Sequence, residues 1–174
     1  MAGARTLAKG KTKLTVLTTK PTDEANPTVT ELEAGIQASG VVLMSDFAFS
    51  AADSTTVAED SLEDLETVDV FDSSTYNLGM TLWRLVDDVT GDPDPAAEAL
   101  WEAVKTKGTE FWAYARETGK DATEPWVAGD EFYLGGRVAS DNPQRLDGTG
   151  FIKRRIPLRN RKMFNNGVVA TGGI

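Results

Sequence analysis

The residues that most often carry catalysis are scarce in this chain. It contains no His and no Cys in 174 residues. His is the commonest general base and metal ligand near neutral pH, and Cys supplies thiolate nucleophiles, disulfides and zinc sites. No Walker loop, no Gly-x-Ser-x-Gly turn and no Ser–His–Asp set is present. The composition therefore predicts a protein with no catalytic residues, no metal and no cofactor.

Carboxylates are the remaining groups that could do chemistry, and many of them cluster in one stretch. The chain has 27 Asp and Glu against 18 Lys and Arg, a net charge of −9. The spacing lacks the Asp-x-Asp-x-Asp-Gly pattern of a calcium loop, and a glycosidase-like pair needs geometry to be identified. The stretch is interpreted as a solubilising loop, a cation site or a surface that repels anions. Its acids are Glu59, Asp60, Glu63, Asp64, Glu66, Asp69 and Asp72.

Three tryptophans offer ring surfaces that could stack on a sugar. Trp101 fits the apolar stripe of a helix and Trp112 fits a buried strand. Trp126 follows Pro125 in a loop, so it is the candidate anchor of a sugar-binding module, provided that it is exposed.

The charges are segregated along the chain. Residues 1–20 hold five Lys and Arg and no acid, and residues 21–83 hold thirteen acids and no base. A strongly acidic chain argues against binding driven by phosphate neutralisation. The segregation indicates solvated faces or, alternatively, basic ends of one subunit that meet acidic surfaces of another. The candidate inter-subunit residues are Arg5, Lys9, Lys11, Lys153, Arg155, Arg159, Arg161 and Lys162.

The element expected to close the fold is one amphipathic helix at about 93–107. Asp92 or Asp94 would cap its start, and Gly108 would end it. Its apolar stripe consists of Ala97, Leu100, Trp101 and Val104.

Elsewhere, apolar and polar residues alternate between turn residues, which predicts eight to ten strands. The expected fold is mainly β, a sandwich or barrel flanked by that helix. A flexible basic arm, 1–11, would precede a single domain, 12–174. No apolar run has the length of a membrane span. Strands are expected at 13–18, 30–38 with a break at Gly35, 41–49, 67–71, 76–86, 110–116, 131–139 and 151–158, with 67–71 and 76–86 forming a hairpin and Asn166-Gly167 forming another hairpin turn.

The order of these features resembles the major tail protein, the tail tube subunit, of long-tailed phages, particularly those of actinobacterial hosts. The resemblance extends over roughly 13–171. It is carried by Lys13–Thr18, Leu32–Ile36, Ser54–Val57, Leu62–Asp64, Ser74–Thr81, Asp87–Pro95, Leu100-Trp101, Lys107–Glu110, Gly129–Glu131 and Asn142–Arg145.

The resemblance implies a structural virion protein. Subunits would close edge to edge into hexameric rings, and the rings would stack into a tube of noncontractile type that delivers DNA. The implied partners are other copies of the chain, the tape measure protein, the tail terminator and the tail tip proteins. DNA would pass without specific binding, and the acidic residues would line the channel or contact the next ring. Assembly would occur in the host cytoplasm. The alternatives are a tail terminator or neck protein of the same virion, or a sugar-binding β-sandwich module.

Overall fold

The computed structural model describes residues 5–63, 65–94 and 97–172. This part of the chain folds into short helices and antiparallel strands. The helices are α1 (Val29–Glu33) and α2 (Ala99–Val104), with a 3-10 turn at Met44–Asp46. The strands are β1 (Thr12–Leu17), β2 (Ile36–Gln37), β3 (Ala48–Ala52), β4 (Thr56–Ala58), β5 (Asp69–Phe71), β6 (Thr75–Trp83), β7 (Glu110–Glu117), β8 (Glu131–Ser140), β9 (Gln144–Arg145) and β10 (Lys153–Val168).

The long strand β10 belongs to both layers of the sandwich. Residues 153–157 pair with β6, and Leu158 to Val168 pair with β8. The main sheet runs in the order β2-β1-β7-β8-β10-β6-β3, with β9 beside β10, and a separate two-stranded sheet consists of β4 and β5. A register shift between Asn160 and Lys162 marks an irregularity in the β10–β8 ladder. Bulges of this kind bend a strand, which suits a strand shared by two layers. The prediction of a mainly β sandwich is confirmed.

The main core lies between the two layers. Val16 and Phe111 come from one layer, Met80 and Ile156 come from the other, and Val104 comes from α2. All five side chains are buried. Complete burial of such a side chain stabilises a fold by about 1.5–3 kcal/mol, so this apolar interior accounts for much of the stability of the sandwich.

A second cluster covers the outer face of β7. The strand alternates as predicted, with Phe111 and Ala113 in the main core and Trp112 and Tyr114 in the second cluster. Leu32 of α1 closes this cluster from outside.

Helix α2 is shorter than the predicted 93–107. Asp94 caps the turn before it, since its carboxylate accepts a hydrogen bond from the Ala97 N–H at 3.3 Å. Leu100 and Val104 are buried as predicted, but Ala97 is exposed and Glu98 is buried instead. Glu98 faces inward because the Arg84 guanidinium binds its carboxylate at 2.5 and 2.8 Å. Glu98 is therefore buried, whereas the prediction had placed Ala97 in the buried stripe.

Helix α1 replaces the first part of the strand predicted at 30–38, whereas the second part is confirmed as β2 (Ile36–Gln37). Thr28 and Glu31 form a capping box: the Thr28 hydroxyl accepts from the Glu31 N–H at 3.3 Å, and the Glu31 carboxylate accepts from the Thr28 N–H at 2.9 Å. Burial alone would raise the pKa of Glu31, but hydrogen bonds from Thr22 and Thr28 lower it to about 2. The Thr-x-x-Glu spacing was the signal for a helix start that the strand prediction overlooked.

Three other strand predictions were wrong. The expected hairpin of 67–71 with 76–86 does not form, because β5 pairs with β4 and β6 pairs with β3 and β10. Asn166-Gly167 lies inside β10, where Gly167 pairs with Phe132, and is not a turn. The strand expected at 41–49 is interrupted by the 3-10 turn, where the Thr81 hydroxyl binds the Asp46 carboxylate.

Candidate functional site

The first candidate surface is the protruding hairpin of β4 and β5, residues 55–73, called here the acidic arm. At its base the Thr55 N–H donates to the Ser73 carbonyl at 2.9 Å, and the Asp72 N–H donates to the Thr55 carbonyl at 2.8 Å. Three-residue strands in a lone hairpin are at best marginally stable in water. Leu62 and Leu65 are fully exposed, and Phe71 is 80% exposed. Large apolar side chains exposed on one projection are typical of a contact surface for another protein.

The predicted acidic residues lie on this arm. Asp60 accepts a hydrogen bond from the Thr67 hydroxyl at 3.0 Å, and Asp72 accepts one from Thr55 at 3.2 Å. Asp64 lies outside the described residues. The structure therefore brings the other six together on one exposed projection. These residues are Glu59, Asp60, Glu63, Glu66, Asp69 and Asp72.

The N-terminal basic candidates lie in different surroundings from one another. Lys11 is tied to its own chain, since its Nζ lies 2.6 Å from the Asp121 carboxylate. The Gly10 carbonyl beside it accepts from the Ala122 N–H at 2.9 Å. Arg5 and Lys9 are exposed. The described part of the basic N-terminal segment is therefore bonded to the rest of the chain at residues 10–11 and is exposed at residues 5–9.

Most of the basic candidates on β10 lie beside acids of the same chain. Because exposed pairs of this kind contribute only about 0–1 kcal/mol each, their partners can be exchanged on contact with another subunit. Lys153 is half-buried. The pairs are Arg155–Asp46 at 4.0 Å, Arg159–Asp141 at 2.9 Å, Arg161–Glu110 at 3.1 Å and Lys162–Glu24 at 3.2 Å.

Two long strand edges have no partner strand in the described part of the chain. The outer edge of β3 is one, because β3 ends the strand order and pairs only with β6. The other is the edge of β10 beyond Pro157, where the ladder with β6 stops while the ladder with β8 continues to Val168. An open edge presents unpaired N–H and C=O groups that can template pairing with another chain. β3 has the sequence AFSAA and carries no charge that would discourage such pairing.

A groove, called here the β1–β3 seam, lies between strands β1 and β3. These strands lie near opposite ends of the strand order and do not pair with each other. One part, about 140 Å³, lies between Leu14, Val42, Met44 and Phe47. A wider part, about 410 Å³, continues along β3 past Glu117 and Tyr133. Its walls are mainly apolar, and Met44 at the rim is 59% exposed. The seam therefore runs along the same open edge of β3.

A buried charge cluster holds the loop between β7 and β8. Arg116 is fully buried, and its guanidinium binds Asp130 at 2.7 Å. The same guanidinium donates to the carbonyls of Asp121, Glu124 and Pro125 at 3.0, 3.2 and 3.1 Å. Burial would raise the pKa of Asp130, but hydrogen bonds from Lys120, Val127 and Arg116 lower it. The sequence reasoning did not identify this cluster, since Arg116 falls at the end of an otherwise apolar strand.

The prediction that Trp126 could anchor a sugar was wrong. Its side chain is 1% exposed, and its indole N–H donates to the Thr15 hydroxyl at 2.8 Å. The guanidinium of Arg116 lies 5.1 Å from the ring centroid. A ring enclosed in this way has no free face on which a sugar could stack.

Residues 5–63, 65–94 and 97–172 contain no group of three or more acids placed to hold a metal ion. In that same portion, no helix has the length and apolar character needed to cross a membrane.

A family model described as phage tail tube protein matches residues 1–173. No individual curated protein matches significantly. The family match covers both the sandwich and the acidic arm.

Proposed function

We propose, because this chain belongs to the phage tail tube protein family, that its copies close into hexameric rings and that the rings stack into the tube. The acidic arm is the observation that carries the proposal. Leu62, Leu65 and Phe71 are exposed on a hairpin that is too small to be stable by itself. A second copy that covers these side chains would stabilise both the hairpin and the contact.

Open strand edges would join neighbours within a ring. The edges of β3 and of β10 beyond Pro157 both lack a partner strand in the described part of the chain. A ring satisfies such edges with a neighbour's strands, and a heterologous contact closes when its rotation allows.

The position of the acidic arm on the subunit supports a contact with another ring. It leaves the sandwich at the Thr75 end of β6, whereas the β9–β10 hairpin lies at the Trp83 end. Nine residues of strand separate these ends by about 30 Å. An arm at one end of the subunit suits head-to-tail stacking.

We also propose that carboxylates line the channel or contact the adjacent ring. The candidates are the acids of the arm, and the net charge of −9 supports a wall that repels phosphate and lets DNA pass without specific binding. A channel surface with a net positive charge in the assembled tube would refute this assignment.

The remaining proposals follow the resemblance. They are an actinobacterial host, a noncontractile tail, assembly in the host cytoplasm and contacts with the tape measure, terminator and tip proteins. The flexible basic arm 1–11 and the single domain 12–174 also remain proposals. Residues 1–4 of that arm lie outside the described residues, and its last two residues, Gly10 and Lys11, are bonded to Ala122 and Asp121 of the domain. Because the family is a structural one, we propose no catalytic activity.

Electron microscopy of the purified protein tests the function. Extended tubes are expected, with neighbours joined in rings. Single closed rings that never stack would favour a terminator or neck protein, and a protein that stays monomeric at every concentration would refute self-assembly.

A further inference from the structure

The β1–β3 seam is an incomplete part of the sandwich. Leu14 and Phe47 both line its narrow part, and Ala48, Phe49 and Ser50 of β3 line its wider part. A strand laid into the seam would pair with β3 and cover apolar walls on both sides. This arrangement is β-augmentation, in which backbone hydrogen bonds give affinity and side-chain pockets give specificity.

One segment of this chain has the length and the side chains for that position. Residues 5–9 have the sequence RTLAK, and every one of them is exposed. Five extended residues span about 17 Å, long enough for the segment to lie in the narrow part beside Met44 and Phe47 and to continue onto the first residues of β3. Leu7 is 85% exposed although it lies only five positions before the ordered strand β1.

We propose that residues 5–9 of one copy occupy the β1–β3 seam of a neighbouring copy. In an extended segment Arg5, Leu7 and Lys9 share one face, because side chains alternate. Leu7 then enters the narrow part of the seam, whose volume of about 140 Å³ is close to that of a cavity of about 150 Å³ that accepts benzene.

The charges at the seam agree with this occupant. Glu117 lies on the wider part, and its carboxylate accepts a hydrogen bond from Thr12 at 3.0 Å. A basic side chain on either side of Leu7 can extend its apolar stem along the groove and place its cation near that carboxylate. Lys11 already forms an ion pair with Asp121 of its own chain. The bases available to a neighbour are therefore Arg5 and Lys9.

This inference rests on the proposed self-assembly and identifies residues 5–9 as the neighbour's strand that pairs with the free edge of β3. Two single-cysteine variants, Leu7→Cys and Met44→Cys, test it, because the chain has no native Cys. Met44 lines the seam and is 59% exposed, so its replacement should leave the fold intact. The two variants are mixed, assembled and exposed to a mild oxidant.

In an equal mixture a Leu7→Cys segment meets a Met44→Cys seam in half of its contacts, so we expect up to about half of the protein to run as a disulfide-linked dimer on a non-reducing gel. The control mixes Leu7→Cys with Val89→Cys, which is more exposed than Met44 (88% against 59%) but does not line the seam, and should give little dimer. No dimer above this control overturns the inference. The double variant Leu7→Cys/Met44→Cys tests whether the segment instead folds back into the seam of its own chain. The inference is also overturned if this variant forms an internal disulfide and stays monomeric while the mixture of single variants gives no dimer.

Microscopy of the unmodified protein keeps the two proposals apart. Tubes without the 7–44 cross-link refute this contact alone. If neither tubes nor the cross-link forms, self-assembly and the contact both fail.

Discussion

Replacement of Arg116 by methionine should be among the most damaging single changes in the sandwich. The guanidinium is fully buried and binds one carboxylate and three backbone carbonyls. Methionine retains most of the apolar stem but none of these hydrogen bonds. Asp130, which is 7% exposed, would keep only Lys120 as a charged partner. Removal of one member of a buried ion pair typically costs about 3–5 kcal/mol.

We therefore expect Arg116→Met to lower the free energy of unfolding by about 3–5 kcal/mol. For a domain of this size the Tm would fall by roughly 6–20 °C. Urea unfolding of the unassembled subunit, followed by tryptophan fluorescence, measures the change. Trp126 is a suitable reporter because its ring lies beside the replaced group.

Arg159→Met is the matched control. Its guanidinium also binds an aspartate, Asp141, but the arginine side chain is 69% exposed. An exposed pair contributes about 0–1 kcal/mol, so the control should unfold close to the wild-type midpoint. Equal losses in the two variants would refute the argument that the buried cluster holds the loop between β7 and β8.

Three further outcomes are expected. The fold lowers the pKa of Glu31 from 4.5 to about 2, so the stabilising contribution of its carboxylate is complete above pH 4.5 and is lost as the pH falls toward 2. The Tm measured against pH should therefore fall across that window, and it should fall less steeply in Glu31→Gln. Leu62→Ser should change the unfolding free energy by less than about 0.5 kcal/mol yet prevent tubes in electron microscopy; normal tubes would exclude the acidic arm from stacking. Gly135→Ala should cost about 1–3 kcal/mol in urea unfolding, because its Cβ would lie 2.3 Å from the Tyr114 ring, whereas Gly148→Ala meets nothing within 4 Å and should be neutral.

The parts of the fold that depend on local pattern could be predicted from the sequence. Strand β7 alternates between the two hydrophobic clusters because side chains of a strand point to opposite faces. The buried residues Leu100 and Val104 of α2 were found by their helical spacing. The Thr-x-x-Glu spacing of Thr28 and Glu31 was an equally local signal, and it indicated the start of α1 where a strand was predicted.

Choices of strand partner could not be predicted in the same way. Asp72-Ser73-Ser74 has good turn chemistry, so a hairpin between 67–71 and 76–86 looked favourable. In the fold β5 pairs with β4 upstream of it instead. The two arrangements differ in long-range pairing, which turn residues do not determine.

The candidate surfaces were only partly accessible to sequence reasoning. The acids of the arm were identified from their density, but the exposed apolar residues Leu62, Leu65 and Phe71 between them were not. Their exposure follows from the projection of the hairpin away from the sandwich. The β1–β3 seam also escaped detection, since it is formed by residues from distant parts of the chain.

The continuity of β10 has a mechanical consequence. The same backbone is hydrogen-bonded into one layer through β6 and into the other through β8. Separating the two layers would therefore stretch the backbone of β10 and strain the hydrogen bonds of both ladders, in addition to separating the packed side chains. A filament built from such units should bend by small adjustments between subunits before any single unit splits.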